Sequence, residues 1–330
     1  MKFNSVKARA HTNIALVKYW GKANEKIILP QNSSLSLTLD KFYTDTIVKF
    51  QPKLKQDRVM INHHPLTEST KIKSVMDIIR QLVGKNIYAD IKSINHVPTS
   101  AGLASSASGL AALATAASQA AGLQLTRREL SRLARHGSGS ASRSIYGSWV
   151  EWQKGHNDQS SYAFPISASR LNHLQIIAII LKKTPKKISS RTGMRRCVKT
   201  SPYYHAWTKV TARDLVQAVQ AIQSRDFTSL GRIAETNAMR MHALTLSADP
   251  PFTYFTGKTL EVLKIVHRLR ALGIECYYTI DAGPNVKIIC KSNDSQAIKN
   301  YLSRYFKLNQ IIISGPGAGA QILPITKSKH

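Results

Sequence analysis

Between Pro98 and Ser108 the chain reads Pro-Thr-Ser-Ala-Gly-Leu-Ala-Ser-Ser-Ala-Ser. Gly102 lets a backbone turn tightly and approach a ligand closely. The first free N–H groups of a helix starting just after it point back at the loop, where the helix dipole favours anions. Ser105, Ser106 and Ser108 add hydroxyl donors, so backbone, hydroxyls and dipole together suit a phosphate. The same residues also suit a Ser-capped buried helix. No Gly-Lys-[Ser/Thr] follows, so this is not a Walker A loop.

Three other stretches carry chemistry. In Asn13 to Lys22 an apolar, strand-like run ends in Lys18-Tyr19-Trp20-Gly21-Lys22, where two cations and a phenol could meet an anionic ligand. An edge strand with solvated lysines and packed rings reads the same way. Ser138-Gly139-Ser140-Ala141-Ser142-Arg143 offers hydroxyls, exposed backbone N–H groups and a bidentate guanidinium, a set suited to a diphosphate; a flexible Gly/Ser loop looks identical. Asp281-Ala282-Gly283-Pro284-Asn285 is a tight turn after an apolar strand. Asp281 is either a turn-forming acid or a carboxylate held on a rigid element to accept or position a proton. Ser314 to Ala320 fits GxGxxA, but no βαβ unit follows, so it reads as a glycine turn lining the same cleft. No HExxH or Cys/His set exists, so a metal would be Mg²⁺ carried mostly by phosphates and water.

Elements must position these residues. Leu35-Ser36-Leu37-Thr38-Leu39 alternates apolar and hydroxyl faces, and Thr46–Phe50, Val59–Ile61, Tyr88–Asn95 and Ile176–Leu181 read as further strands. Helical spacing predicts Lys71–Leu82, an Ala-rich buried helix over Ser105–Ala121, and Thr126–His136 opened by Thr126 and Glu129. Long helices follow over Thr211–Gln223, Phe227–Leu244 and Thr259–Leu272, then strands at Cys276–Ile280, Val286–Cys290 and Gln310–Ser314. The economical reading is an α+β chain of two halves, 1–185 and 186–330.

The 330 residues hold 47 Lys+Arg against 18 Asp+Glu, a net charge of +29. That charge suits nucleic acid, a polyanionic small substrate, or simply a basic host. The densest run, Lys182 to Lys199, reads as a solvated face or loop and contains no aromatic platform for nucleic acid. With 43% hydrophobic residues the chain can fill a core, which excludes whole-chain disorder. No apolar stretch is long enough to span a membrane. The opening residues lack the apolar core of a secretory signal, and three scattered cysteines form no disulfide framework, so the expectation is a cytoplasmic protein.

NIALVKYWGK (Asn13 to Lys22), PTSAGLASSASG (Pro98 to Gly109), SGSASR (Ser138 to Arg143), SSRTGM (Ser189 to Met194) and DAGPNV (Asp281 to Val286) resemble, in this order, the diphosphomevalonate decarboxylase family of the GHMP kinase superfamily. The resemblance implies an N-terminal domain like ribosomal protein S5 domain 2, a ferredoxin-like C-terminal domain, a cleft between them and a homodimer. It implies ATP and Mg²⁺ as cofactors and mevalonate 5-diphosphate as substrate, which is phosphorylated on its 3-hydroxyl and then decarboxylated to isopentenyl diphosphate. A sister kinase that phosphorylates without decarboxylating is the alternative, and a nucleic-acid binder a more distant one. On the matching positions Asp281 would orient or deprotonate the hydroxyl beside Lys18. Tyr19, Trp20, Gly21, Lys22, Lys71, Ser138, Gly139, Ser140, Ala141, Ser142 and Arg143 would line the diphosphate site, and Ser190 and Arg191 would meet the substrate carboxylate or its surroundings. Pro98, Ser100, Gly102, Leu103, Ala104, Ser105, Ser106 and Ser108 would cradle the ATP phosphates, with Ser106 also reaching the metal.

Overall fold

The computed structural model describes residues 4–96, 105–167, 173–182 and 187–325. The first strands are β1 (Val6–Val17), β2 (Lys22–Asn24), β3 (Leu29–Pro30), β4 (Ser34–Phe50), β5 (Arg58–Ile61) and β6 (His64–Leu66). Helix α1 (Thr70–Val83), strand β7 (Ala89–His96) and helices α2 (Ser105–Ala120) and α3 (Arg127–Gly137) follow. After a 3-10 turn at Gly139–Ile145 come β8 (Trp149–Trp152), β9 (Ala163–Pro165) and β10 (Leu174–Ile179). Four helices come next: α4 (Ser190–Thr200), α5 (Tyr204–Ser224), α6 (Phe227–Leu246) and α7 (Gly257–Ala271). Then come β11 (Cys276–Ile280), β12 (Val286–Lys291), α8 (Ser295–Leu302), β13 (Ile311–Ser314) and β14 (Gln321–Leu323).

Two sheets organise these elements. The first runs β14-β1-β4-β7-β5-β6, with β8 paired to β4 and β9 to β8. The second is antiparallel, in the order β11-β12-β10-β13. In β10 the two-residue period of a strand sends Leu174, Ile176 and Ala178 to one core and Ile177 and Ile179 to another, which is why that segment is apolar on both faces apart from Gln175. The core between the sheets also takes in α5 and α6, while α7 and α8 cover the far face. A third core lies between β1, β4 and helices α1–α3. There α2 presents Ala107, Ala111, Ala112, Ala114, Ala116 and Ala117, all buried, so the helix backbone lies close against the sheet.

β1 crosses from one core to the other. Ala8 and Ala10 face the α1–α3 core, but Ile14 and Leu16, of the same parity, face the inter-sheet core. A register shift against β4 between His11 and Asn13 separates the two stretches. The shift matters because it delivers the far end of β1 to the second sheet.

Several sequence expectations change. β4 is one 17-residue strand rather than two. The basic run expected as loop or solvated face contains α4, capped by Ser189, whose hydroxyl accepts from Thr192 N, with Gly193, Met194 and Cys197 turned inward. Sheet membership changes between Pro165 and Leu174, because β10 pairs with β12 and β13; β14 returns to β1. The Gly315–Ala320 segment, expected to line the cleft, is fastened to the first sheet. Gly317 N donates to Thr38 O, Gly317 O accepts from Ser148 N, and Ala320 N donates to Ile145 O.

Candidate active site

Lys18 stands just beyond β1 and Asp281 just beyond β11, so the two sheets bring together residues 263 apart in sequence. Lys18 Nζ donates to Asp281 Oδ1 at 2.7 Å and to Ala15 O at 2.7 Å. The second carboxylate oxygen lies 2.9 Å from Nζ of Lys287, on β12. Both lysine side chains are at most 2% exposed, whereas that of Asp281 is 24% exposed. A buried carboxyl on its own would be pushed up, but Lys18 and Lys287 outweigh that effect and hold Asp281 well below the usual carboxylate range. Burial brings the Lys18 ammonium down to about 8 despite its carboxylate partner. His242, on α6, is buried nearby, and burial followed by the Lys18 charge lowers it to about 3, so it is neutral.

The Lys18 backbone is fixed at both ends. Its N–H donates to Asn237 Oδ1 at 2.8 Å and its carbonyl accepts from Asn32 Nδ2 at 2.7 Å. Asn237 Nδ2 donates to Asp214 Oδ2, which also binds Arg240. The Asp214 acceptor leaves the Asn237 amide no choice but to face its oxygen to Lys18. Beyond Lys18, Gly21 has φ +118, and a Cβ there would stand 1.8 Å from Tyr204 Oη, which donates to Trp20 O. Only glycine fits that turn.

The expected diphosphate residues gather beside this pair. Arg143 is buried, and its guanidinium donates to Asn13 Oδ1, Ser36 Oγ and Ser34 Oγ. Burial lowers it to about 10, still cationic at neutral pH. Its charge, more than its surface, therefore reaches the site. Ser138 Oγ and Ser140 Oγ lie 3.2 Å apart. Gly139 leaves room for the Tyr19 and Trp152 rings, which a Cβ would approach to 2.8 and 2.7 Å. Ser142, grouped with the ligand-facing hydroxyls, instead donates to Gly139 O and is fully buried, and Ala141 packs in the α1–α3 core, so both build the turn rather than line it. Burial raises the Tyr19 phenol and keeps it protonated. Lys22 and Lys71 are both held below the ordinary lysine value, first by burial and then by neighbouring cations that include Arg191. Lys22 also pairs with Glu25. These three cations share one neighbourhood, with half-buried Ser190 beginning α4 next to exposed Arg191.

Pro98, Ser100, Gly102, Leu103 and Ala104 lie outside the described residues, as does the side chain of Ser105. Ser106 is half-buried in the first turn of α2. Ser108 is a correction. It is fully buried, its hydroxyl 2.8 Å from Thr44 Oγ1 and 3.3 Å from Thr12 Oγ1, so it pins the first turn of α2 to the sheet. Among the described residues no cluster of three His, Cys, Asp or Glu side chains could hold a metal.

Sequence reasoning missed Lys287, Asn237, Asn32 and the Ser34/Ser36 pair. The hydroxyl face of Leu35–Leu39 was visible as alternation, and a lysine inside Val-Lys-Ile-Ile-Cys was the signal for Lys287. The asparagines carried no local signal.

Comparison with known proteins agrees with this geometry. Residues 10–163 match the diphosphomevalonate decarboxylase-like N-terminal domain and residues 176–321 the mevalonate 5-diphosphate decarboxylase C-terminal domain. The diphosphomevalonate decarboxylase of Ganoderma lucidum is 33% identical, over 91% of this chain and 81% of its own length. The crystal structure of mevalonate diphosphate decarboxylase from Staphylococcus aureus superposes with a TM-score of 0.94 at 48% identity, covering 97% of this chain and 98% of that one. A structure of MDDEF in complex with MVAPP, AMPPCP and magnesium does so equally, with a TM-score of 0.94 and 48% identity over 97% of this chain and 99% of its own. With both halves matched and the GHMP kinase fold in common, this chain belongs to the diphosphomevalonate decarboxylase family.

Proposed function

We propose that the chain catalyses the ATP-dependent decarboxylation of mevalonate 5-diphosphate to isopentenyl diphosphate, ADP, phosphate and CO₂. The observation that carries this reading is the ionised Asp281, set between two buried lysines where the sheets meet, in a chain of this family. A tertiary hydroxide is a poor leaving group, so the 3-hydroxyl is phosphorylated first. Its oxygen bonds to the γ-phosphorus as the bond to the ADP oxygen breaks, and its proton passes to Asp281. Because Asp281 is a weak base in so cationic a setting, it positions the hydroxyl and collects the proton late, in keeping with phosphoryl transfer generally. Departure of phosphate then leaves positive character at C3, and the adjacent carboxylate is lost as CO₂ to form the alkene.

The family likeness supplies the roles. Tyr19, Lys22, Ser138, Ser140 and the Arg143 charge hold the diphosphate, with Lys71 adding to the cationic wall. Trp20, Gly21 and Gly139 shape the floor. Ser190 and Arg191 meet the substrate carboxylate. The residues from Pro98 to Ser106, leading into α2, cradle the ATP phosphates. Mg²⁺ would be held chiefly by phosphate oxygens, with the half-buried Ser106 hydroxyl in the first turn of α2 as the protein's ligand. That ion would supply neutralisation of charge on the transferring phosphoryl oxygens. Family likeness extends the proposal to a cytoplasmic homodimer with small-molecule substrates, without a membrane or a specific nucleic acid as partner. No helix among the described residues is long and apolar enough to cross a membrane.

The test is to incubate the protein with mevalonate 5-diphosphate and ATP and measure CO₂ and ADP together. One CO₂ per ADP is the expected result. ADP without CO₂ would mark the sister kinase, and neither product would end the proposal.

A further inference from the structure

The carboxylate of Asp281 is asymmetric. Its Oδ2 atom is sealed from solvent while the side chain as a whole is 24% exposed, so a ligand that meets a carboxylate oxygen meets Oδ1. The sealed oxygen faces Lys287 Nζ at 2.9 Å. Lys287 is itself 1% exposed and has a second tie, donating to Asn285 O at 3.2 Å across the turn that carries Asp281. Asn285 Oδ1 in turn accepts from Leu181 N and Lys182 N, at the end of β10. A lysine is costly to bury without a fixed role, because its charge must be compensated.

We infer that Lys287 is a positioning residue for the reaction: it locks the sheltered oxygen of Asp281 and so turns Oδ1, with Lys18 beside it, toward the substrate hydroxyl. The inference rests on the proposed decarboxylase activity and deepens it. Lys18 and Lys287 divide the work. Lys18 shares Oδ1 and stands where the hydroxyl must arrive, while Lys287 holds the sealed oxygen.

The charged or titratable groups facing this carboxylate are Lys18 at the end of β1, Lys287 on β12, Arg143 on the 3-10 turn and His242 on α6. Lys18 titrates near 8, lowered by burial, raised by Asp281, and lowered again by Lys287 and Arg143. Removing the Lys287 charge relieves a repulsion on Lys18 and leaves it a less neutralised carboxylate. Both changes raise the Lys18 value, so the sign of the shift is fixed.

The experiment is a steady-state pH series with mevalonate 5-diphosphate and ATP on the wild type, Lys287→Met and Lys287→Arg. Lys287→Met is expected to lower kcat by about 10²-fold with KM for either substrate within about twofold. The inflection of the kcat profile near pH 8 should move alkaline by about a unit, and Lys287→Arg should restore much of the rate. Unchanged kcat with an unshifted inflection, or a loss confined to KM, overturns the inference. If the Met variant does not fold, Lys287→Gln, which keeps a donor for Asn285 O but carries no charge, is read by the same criteria. A wild type that releases no CO₂ fails the proposed function instead, so the two failures are distinguishable.

Discussion

Asp281 and its two lysines make a site in which charge, more than shape, is the vulnerable quantity. Asp281→Asn preserves volume and one acceptor oxygen but strands two buried ammonium groups. It should reduce kcat by roughly 10²–10⁴-fold. ATP affinity, measured by equilibrium titration with a non-hydrolysable analogue, should change by less than about twofold, because the residues proposed to cradle its phosphates lie far from Asp281 in the sequence. Near-normal turnover would remove Asp281 from the mechanism. How much of this was legible depended on local context. An acid closing an apolar strand in an acid-poor chain stands out, and a lysine beside aromatics and a glycine does too. Lys287 did not, because a lysine within a strand ordinarily marks an exposed edge, and only the pairing of β12 between β11 and β10 buries it. Ser142 and Ser108 misled for the converse reason. A hydroxyl in a Gly/Ser stretch looks available until the turn or sheet that consumes it is known.

Elements hold these residues by buried polar ties as much as by apolar packing. α6 shows this most clearly. Its inward stripe of Leu230, Ala234, Ala238 and Met241 is ordinary helical periodicity, and Asn237 sits on that face with no exposure at all. It bridges Asp214 of α5 to the backbone of Lys18. Asn237→Ala would leave the Lys18 N–H and an Asp214 oxygen without this partner, costing about 1–3 kcal/mol in urea unfolding. Because the loss falls on the segment that aims Lys18, kcat should drop further than KM rises. A variant as stable and active as the wild type would show that Lys18 needs no such support. Element positions were largely readable, including the Thr126–Glu129 capping box that opens α3. α4 was not, since its 190–200 span is dominated by cations. The cap at Ser189 and the inward spacing of Gly193, Met194 and Cys197 were the cues that its charge obscured.

Across the whole molecule, the charge of +29 stands apart from the buried cations around Asp281. Lys18, Lys287 and Arg143 are buried and compensated by fixed partners, whereas the remaining excess has few acids to meet. Many of those acids are already engaged, as Asp45 is by Arg9 and Lys7, Asp158 by Arg132 and Arg135, and Glu235 by Arg270. The surplus therefore acts as a long-range field on ligands, and both proposed substrates carry several negative charges. Such steering weakens as the Debye length shrinks from about 30 Å at about 0.01 M salt to about 3 Å at about 1 M. Over that range kcat/KM for mevalonate 5-diphosphate should fall by about an order of magnitude in potassium chloride. By contrast kcat should change by less than about twofold, since the buried pair between the sheets is screened little. Steady-state kinetics at fixed pH across a salt series separates the two. A flat kcat/KM would detach the surface charge from substrate capture, and a kcat falling in parallel would mean that salt reaches the lysines around Asp281 itself.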